Sequence, residues 1–383
     1  MKIIPFLRWL CILQQSSLFA SRMVLTLYAL QLGAQALVVG ALVALFSFFP
    51  ATLAVVAGRL VDRYGARWFL AASAAGSALG MCLPIVFPSL ASVLIAGALA
   101  GLSMVFYNVS LQSLTGLWST PATRGRNFST YSMMTSAGGL IGPVIGGFAV
   151  DHFGYSISCA TTAVLTLVTV VLLLLRRGRL EPAEQRAVAP QAAIPLHETL
   201  AMLRDPMVRH TIATGCMINS GMNLYVAYMP VYAHGLGLSG AVIGLILSSQ
   251  AAAAFVARAL LPRSLQWLKE EGVLVLAFSL GAASLVLMPL VEAPWMLVLL
   301  SFIFGLGMGG GQPIITMLTF QNSPPGRTGE SVGLKVTTNH ATNMVSPMIF
   351  GGIATAFGLL PMFWVNGVLM AAGAWISRPK KSS

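Results

Sequence analysis

Charged side chains are scarce in this chain, 8% of its 383 residues, where an ordinary soluble domain carries roughly a quarter. Acids are scarcer still, ten Asp and Glu beside 22 Lys and Arg. A sequence so poor in charge and 57% hydrophobic has too little polar surface to face water, so a soluble fold is excluded. Cysteine is rare as well. Cys11, Cys82, Cys159 and Cys216 stand far apart with no ligand-like spacing, which argues against a zinc site or a disulfide framework and assigns them to packing. No GxxxxGK[ST] phosphate loop occurs, so ATP coupling within this chain is unsupported. The outer loops are too short and too poor in acids to assemble a catalytic constellation, so no enzyme activity, metal or cofactor is expected.

What the chain has in abundance is long apolar runs. A bilayer core takes about 20 apolar residues per helix, and the runs predict twelve crossings: 10–32, 37–57, 69–87, 91–112, 129–150 and 155–175, then 211–233, 238–261, 273–291, 295–319, 332–354 and 360–376. The net charge of +12 raises the possibility of a nucleic-acid partner, but the placement of the basic residues excludes it. Every Lys and Arg except Arg22 falls in or beside an even-numbered loop or a terminus. The odd-numbered loops hold only Asp151, His152, His234 and Glu292 as ionisable residues. By the positive-inside rule both termini are cytoplasmic, and the charge is a topology signal.

Sliding the chain on itself by 204 residues aligns Leu32-Gly33 with Leu236-Gly237, Gly40 with Gly244, Gly101-Leu102 with Gly305-Leu306, and Asn108 with Gln312. The same offset aligns Pro143 with Pro347 and Phe153-Gly154 with Phe357-Gly358. One offset held across so many helices predicts two parallel six-helix pseudo-repeats with the ligand site between them. The expected boundaries are 1–176 for the N-terminal bundle, 177–208 for a basic, Pro-broken cytoplasmic linker, and 209–383 for the C-terminal bundle. Within the linker, Leu196, Leu200 and Leu203 suit a short surface helix. Residues 1–23 have the look of a signal peptide, but Gln15 aligns with Asn219 under the same offset, so the segment is expected to stay.

The loop after the second run reads Gly58-Arg59-Leu60-Val61-Asp62-Arg63-Tyr64-Gly65-Ala66-Arg67, which resembles the GxLaDrxGrr signature of the major facilitator superfamily. The fifth run carries Gly138, Gly142-Pro143 and Gly146-Gly147, similar to the GxxxGPxxGG antiporter motif of that superfamily's drug and metabolite exporters. The resemblance implies an all-α membrane protein of twelve helices and a secondary transporter working by alternating access in the inner (cytoplasmic) membrane. It also implies proton coupling and a monomer. Two departures stand out. The arginine that many proton-coupled exporters place four residues before Gly101 is Gly97 here, and Gln266 replaces Asp62 in the second copy of the loop.

Asp62, at the end of the second helix, is placed to face the N-terminus of the eleventh, where unpaired amides favour negative charge. With Gly58, Arg63, Gly65 and Arg67 it makes a gating motif; a solvated loop is the plainer alternative. Gly138, Gly142 and Gly146 recur every fourth residue and let a neighbouring helix come close, either for packing alone or as a seam controlling movement. Gln15, Arg22 and Thr26 share one face of the first helix, and a charge at membrane depth calls for a cavity or a partner. In the superfamily the first, fourth, seventh and tenth helices line the cavity. Here they add Tyr107 and Asn108, Asn219 and Asn223, and Gln312, although each amide taken alone is better explained by hydrogen bonding between helices. On the eleventh helix Lys335, Asn339, Asn343 and Ser346 form a stripe with His340 beside it. His340 is the natural titratable group, and Lys335 is expected to reach toward the cytoplasm.

No acid falls in the middle of a predicted helix. Anionic, zwitterionic or neutral small amphipathic substrates are therefore favoured over cations, which would lack an opposite charge. The leading expectation is a proton-coupled exporter of a drug or metabolite, and the alternative is a facilitator or importer of a small anion or sugar on the same fold.

Overall fold

The computed structural model describes residues 3–175, 202–323 and 328–378. Most of the expected linker, including Leu196 and Leu200, lies outside them. The described residues are helical almost throughout, in order α1 (Ile3–Gln31), α2 (Ala36–Tyr64), α3 (Ala66–Val86), α4 (Leu90–Leu117), α5 (Pro121–Leu175), α6 (Pro206–Gly235), α7 (Gly240–Leu287), α8 (Pro294–Gln321), α9 (Thr328–Phe357) and α10 (Leu359–Ile376). Short 3-10 turns occupy Met202–Arg204 and Met288–Leu290. Helix is what apolar runs of this length must form in lipid, because it satisfies every backbone group within the segment.

Eight of these helices, α1 to α5, α7, α8 and α10, are long and apolar enough to cross a membrane. The two left out, α6 and α9, are those that carry the paired asparagines. Local sequence sets the ends. Ser89 and Ser92 form a reciprocal capping box at the start of α4, each side chain accepting the other's amide at 3.2 and 3.3 Å, which satisfies two otherwise orphaned donors.

The backbone repeats with the sequence. Six described residues have positive φ, and they fall in three pairs 204 apart: Gly33 with Gly237, Gly65 with Lys269, and Gly154 with Gly358. The turns after α1 and α6 are the same turn. Ala34 donates to the carbonyl of Ala29 and Leu238 to that of Ala233, five residues back in each case. The pairing also accounts for the two over-long helices. Gly154 (φ 75°) kinks α5 where Gly358 separates α9 from α10, and Lys269 (φ 54°) kinks α7 where Gly65 separates α2 from α3.

The described residues fall into two compact units, one within 1–189 and 230–248, the other within 190–229 and 249–383. In the first, α1 lies against α5 and α4, and α4 against α2 and α3. One apolar cluster joins Leu10, Leu70, Tyr107 and Leu111; another joins Val24, Leu42, Met81 and Ala96. In the second, α9 packs on α8 and α10.

Lys269 keeps the backbone turn of Gly65 without the glycine that makes such a turn easy, at φ 54° and ψ 179°. A residue with a Cβ pays on the order of 1–3 kcal/mol there. Lys269→Gly is expected to stabilise the protein by about 1 kcal/mol and raise its melting temperature in detergent, whereas Gly65→Ala should lower it.

Candidate functional site

The glycines of α5 form a contact strip for α1. A Cβ added at Gly138 would fall 2.5 Å from Gln15 Cβ, one at Gly142 would fall 2.5 Å from the Ser16 carbonyl oxygen, and one at Gly146 would fall 3.2 Å from Val24. Further along α5, Ser17 Oγ donates to the Thr162 carbonyl at 2.9 Å and lies 2.7 Å from Thr166 Oγ1. Helix α1 is thereby fixed on both sides of the Gly154 kink. Gly147 and Pro143 serve a different neighbour. A Cβ at Gly147 would meet the Gly240 carbonyl, and one at Gly244 would meet the Pro143 carbonyl.

Held this way, α1 presents its polar stripe. Gln15, buried, donates through Nε2 to Asn108 Oδ1 at 3.2 Å, and Tyr131 donates its hydroxyl to the same oxygen at 3.2 Å. Tyr131 was not among the expected residues; it sits on α5 four residues before Thr135, with no spacing to α1 that a sequence displays. Thr26 Oγ1 donates to the Arg22 carbonyl at 2.8 Å, a bond within the helix. Arg22 is partly buried, and its Nε and Nη2 have no hydrogen-bond partner among the described residues. Tyr107 does not join the cluster. It lies in the apolar core, 1% exposed, with its hydroxyl bonded to the Leu10 carbonyl at 3.0 Å.

In the second unit four asparagines come together. Asn219 donates to the Asn339 carbonyl at 2.9 Å and to Asn343 Oδ1, while Asn223 donates to the Asn219 carbonyl at 2.9 Å and also to Asn343 Oδ1. The pair α6 and α9 is the repeat counterpart of α1 and the first part of α5. Where α5 has Gly138, Gly142 and Gly146, α9 has Thr342, Ser346 and Phe350, so side-chain amides join the helices there in place of close backbone contact. The Asn339 Oδ1 and Gln312 Nε2 atoms are buried without a hydrogen-bond partner among the described residues. His340 is half-buried.

Lys335 departs from expectation. It is 8% exposed and donates to Thr316 Oγ1, which in turn donates to the Gln312 carbonyl at 2.8 Å. A second cation is therefore drawn into the interior of α8 and α9.

Gly97 and Gly101 seat α4 on α2, as added Cβ atoms would fall 2.5 Å from Leu42 Cδ1 and 2.5 Å from the Leu45 carbonyl oxygen. Where the family pattern has an arginine, this chain has a helix-packing contact. In the loop motif after α2, Gly65 receives the end of α2, its amide bonding to the Val61 carbonyl at 2.9 Å. Arg63 lies over the Tyr64 ring and Arg67 over the Trp68 ring, both 5.2 Å from the centroid. The Asp62 carboxylate lies outside the described side chains. Gly58 faces open space.

The glycine geometry makes a direct prediction. Gly142→Ala pushes a methyl into the α1 backbone and should cost about 1–3 kcal/mol, seen as a lower melting temperature in detergent and reduced transport. Gly58→Ala, in a helix with free space, should leave the melting temperature unchanged or slightly higher.

Comparison with known proteins gives consistent results. The family model for the Major Facilitator Superfamily matches residues 10–340. Multidrug resistance protein MdtG of Dickeya zeae (strain Ech586) is 25% identical over 376 residues, covering 94% of this chain and 90% of that protein. MdtG of Enterobacter lignolyticus (strain SCF1) is 26% identical over 326 residues, covering 83% and 76%. Among solved structures, a mutant of the nucleoside transporter NupG superposes with a TM-score of 0.80 at 12% identity, covering 98% of this chain and 99% of that one. The peptide transporter POT in complex with sulfate gives 0.76 at 16% identity, covering 98% and 93%.

Proposed function

Because the chain belongs to the Major Facilitator Superfamily, and is therefore a multi-pass membrane transporter of small molecules with no enzymatic role, we propose that it is a proton-coupled exporter of small amphipathic drugs or metabolites. The substrates are anionic, zwitterionic or neutral, and the mechanism is alternating access. The MdtG relatives, named as multidrug resistance proteins, and the glycine motif of α5 support export. Their bacterial sources support a place in the inner membrane, with both termini cytoplasmic. Twelve crossings are supported by the two kinked helices. The apolar stretches Thr130–Leu175 and Gly240–Leu290 span 46 and 51 residues, each long enough for two passes of about 20, and α6 and α9 supply the remaining two.

The observation that carries the substrate class is Arg22. Two of its guanidinium nitrogens are buried with no hydrogen-bond partner among the described residues, in a sequence that puts no acid in the middle of a predicted membrane crossing. An isolated buried cation is costly, and a carboxylate, phosphate or phosphonate oxygen on the substrate answers it with charge-assisted hydrogen bonds. The polar groups of Gln15, Asn108 and Tyr131, in the same unit, orient the remainder of such a molecule; Asn219, Asn223, Asn343 and Gln312 are candidates for substrate contact within their own unit. His340, whose imidazole can load and release a proton, is the proton carrier in this reading.

A second reading is kept by Gly97. Its place is taken up by packing against Leu42, so the arginine of the usual coupling apparatus is missing, and a facilitator driven by the substrate's own gradient follows if His340 does not titrate. Transport in proteoliposomes under an imposed pH gradient, with matched anionic, zwitterionic and cationic amphiphiles, separates the two. Gradient-driven movement of anions or zwitterions, reduced about tenfold or more by Arg22→Ala and uncoupled from pH by His340→Gln, is the expected result. Transport indifferent to pH gives the facilitator. Preferential transport of cations, unchanged by Arg22→Ala, overturns the substrate class.

A further inference from the structure

The N-terminus of α7 is capped from another helix. The first amides of an α-helix have no partner inside it, and Ser239 meets only one of them, Val242 N at 3.4 Å. The other two go to a single carboxylate. Gly240 N donates to Asp151 Oδ1 at 2.6 Å and Ala241 N to Asp151 Oδ2 at 2.7 Å. Both oxygens are engaged, and the negative charge sits at the positive end of the α7 dipole.

Away from Asp151 the same two helices stay in contact with almost no side chain between them. Gly147 meets Gly240, Pro143 meets Gly244, and Ser248 Oγ donates to the Leu140 carbonyl at 2.7 Å. The contacts recur about every fourth residue and end where the compact unit ends, since 230–248 group with α5 while Ser249 onward does not. The hairpin formed by the end of α6 and the start of α7 is thus zipped to α5, and α7 passes out of that unit in mid-helix. Backbone approach at glycines and one hydroxyl bond give a seam that can part and reseal. Asp151 is a charged lock on it, and it is exposed, so water can take over its hydrogen bonds when the seam opens.

We propose that Asp151 is a positioning residue for transport, the latch that holds the 230–248 hairpin against α5 and is released each time this face of the transporter opens. The inference rests on the alternating-access reading above, but its primary readout does not require a known substrate. In a chain whose four native cysteines are replaced, Ser248→Cys places a nearly isosteric reporter inside the closed seam. Its labelling by a membrane-impermeant maleimide is measured in proteoliposomes with Asp151 intact and with Asp151→Asn. Asn keeps the shape but loses the charge and one acceptor, so labelling should accelerate about tenfold, with Asp151→Glu falling between. Equal labelling rates for Asp151 and Asp151→Asn, in samples with the same melting temperature, overturn the proposal. If the Asn variant does not accumulate, hydrogen–deuterium exchange of the unaltered chain decides. Slow exchange of the Gly240 and Ala241 amides, relative to those of the matching first turn of α2, supports the latch; exchange as fast as an unprotected helix end overturns it. Faster labelling with no transport of any tested amphiphile leaves the latch standing and removes the substrate reading instead.

Discussion

Close approach of backbones along α5 is the contact on which the first unit depends. In lipid there is no hydrophobic drive to press helices together, and association rests on van der Waals contact and interhelical hydrogen bonds. Gly138, Gly142 and Gly146 leave no Cβ between α5 and α1, while Gly147 and Pro143 receive the start of α7. One helix therefore sets the position of two others, and with α1 it sets Gln15 and Arg22. The second unit solves the same problem with amides. Asn219, Asn223 and Asn343 tie α6 to α9 where the glycines are replaced by larger residues. The repeat keeps its backbone and changes its adhesive.

That asymmetry bears on charge. Each unit carries a cation at depth, Arg22 in α1 and Lys335 in α9, and neither meets a carboxylate in the middle of a helix. Lys335 is accommodated by Thr316, so its charge is partly answered within the protein. Arg22 keeps two buried donors without a partner among the described residues. Unsatisfied buried donors cost stability, and retaining them is consistent with a ligand that arrives and leaves.

Much of the architecture was legible in the sequence because lipid permits so few solutions. Apolar runs must be helices, and a fixed offset of 204 must be a structural repeat, as the paired positive-φ residues bear out down to the Lys269 turn. The glycine periodicity of α5 announced a contact face. What could not be read was the identity of the partner. Spacing along one helix puts Gln15 and Arg22 on a face, but it does not say that Asn108 and Tyr131 meet Gln15, nor that Tyr107, one residue from Asn108, points into the core. Nor does it say that Lys335, expected to reach toward the cytoplasm, is 8% exposed and bonded to Thr316 on α8, 19 residues away. Asp151 was visible only as an outer-loop acid, and its role emerges from the amides of α7, 89 and 90 residues downstream.

The central claim, that the buried arginine of α1 selects for anionic character, is tested most directly by equilibrium binding to the purified protein. Fluorescence anisotropy with size-matched anionic and cationic amphipathic dyes, on wild type, Arg22→Lys and Arg22→Gln, separates charge from shape. The account predicts tighter binding of the anionic dye to wild type, partial retention in Arg22→Lys, and loss of about tenfold or more in Arg22→Gln. Tighter binding of the cationic dye, unchanged by either replacement, would contradict it.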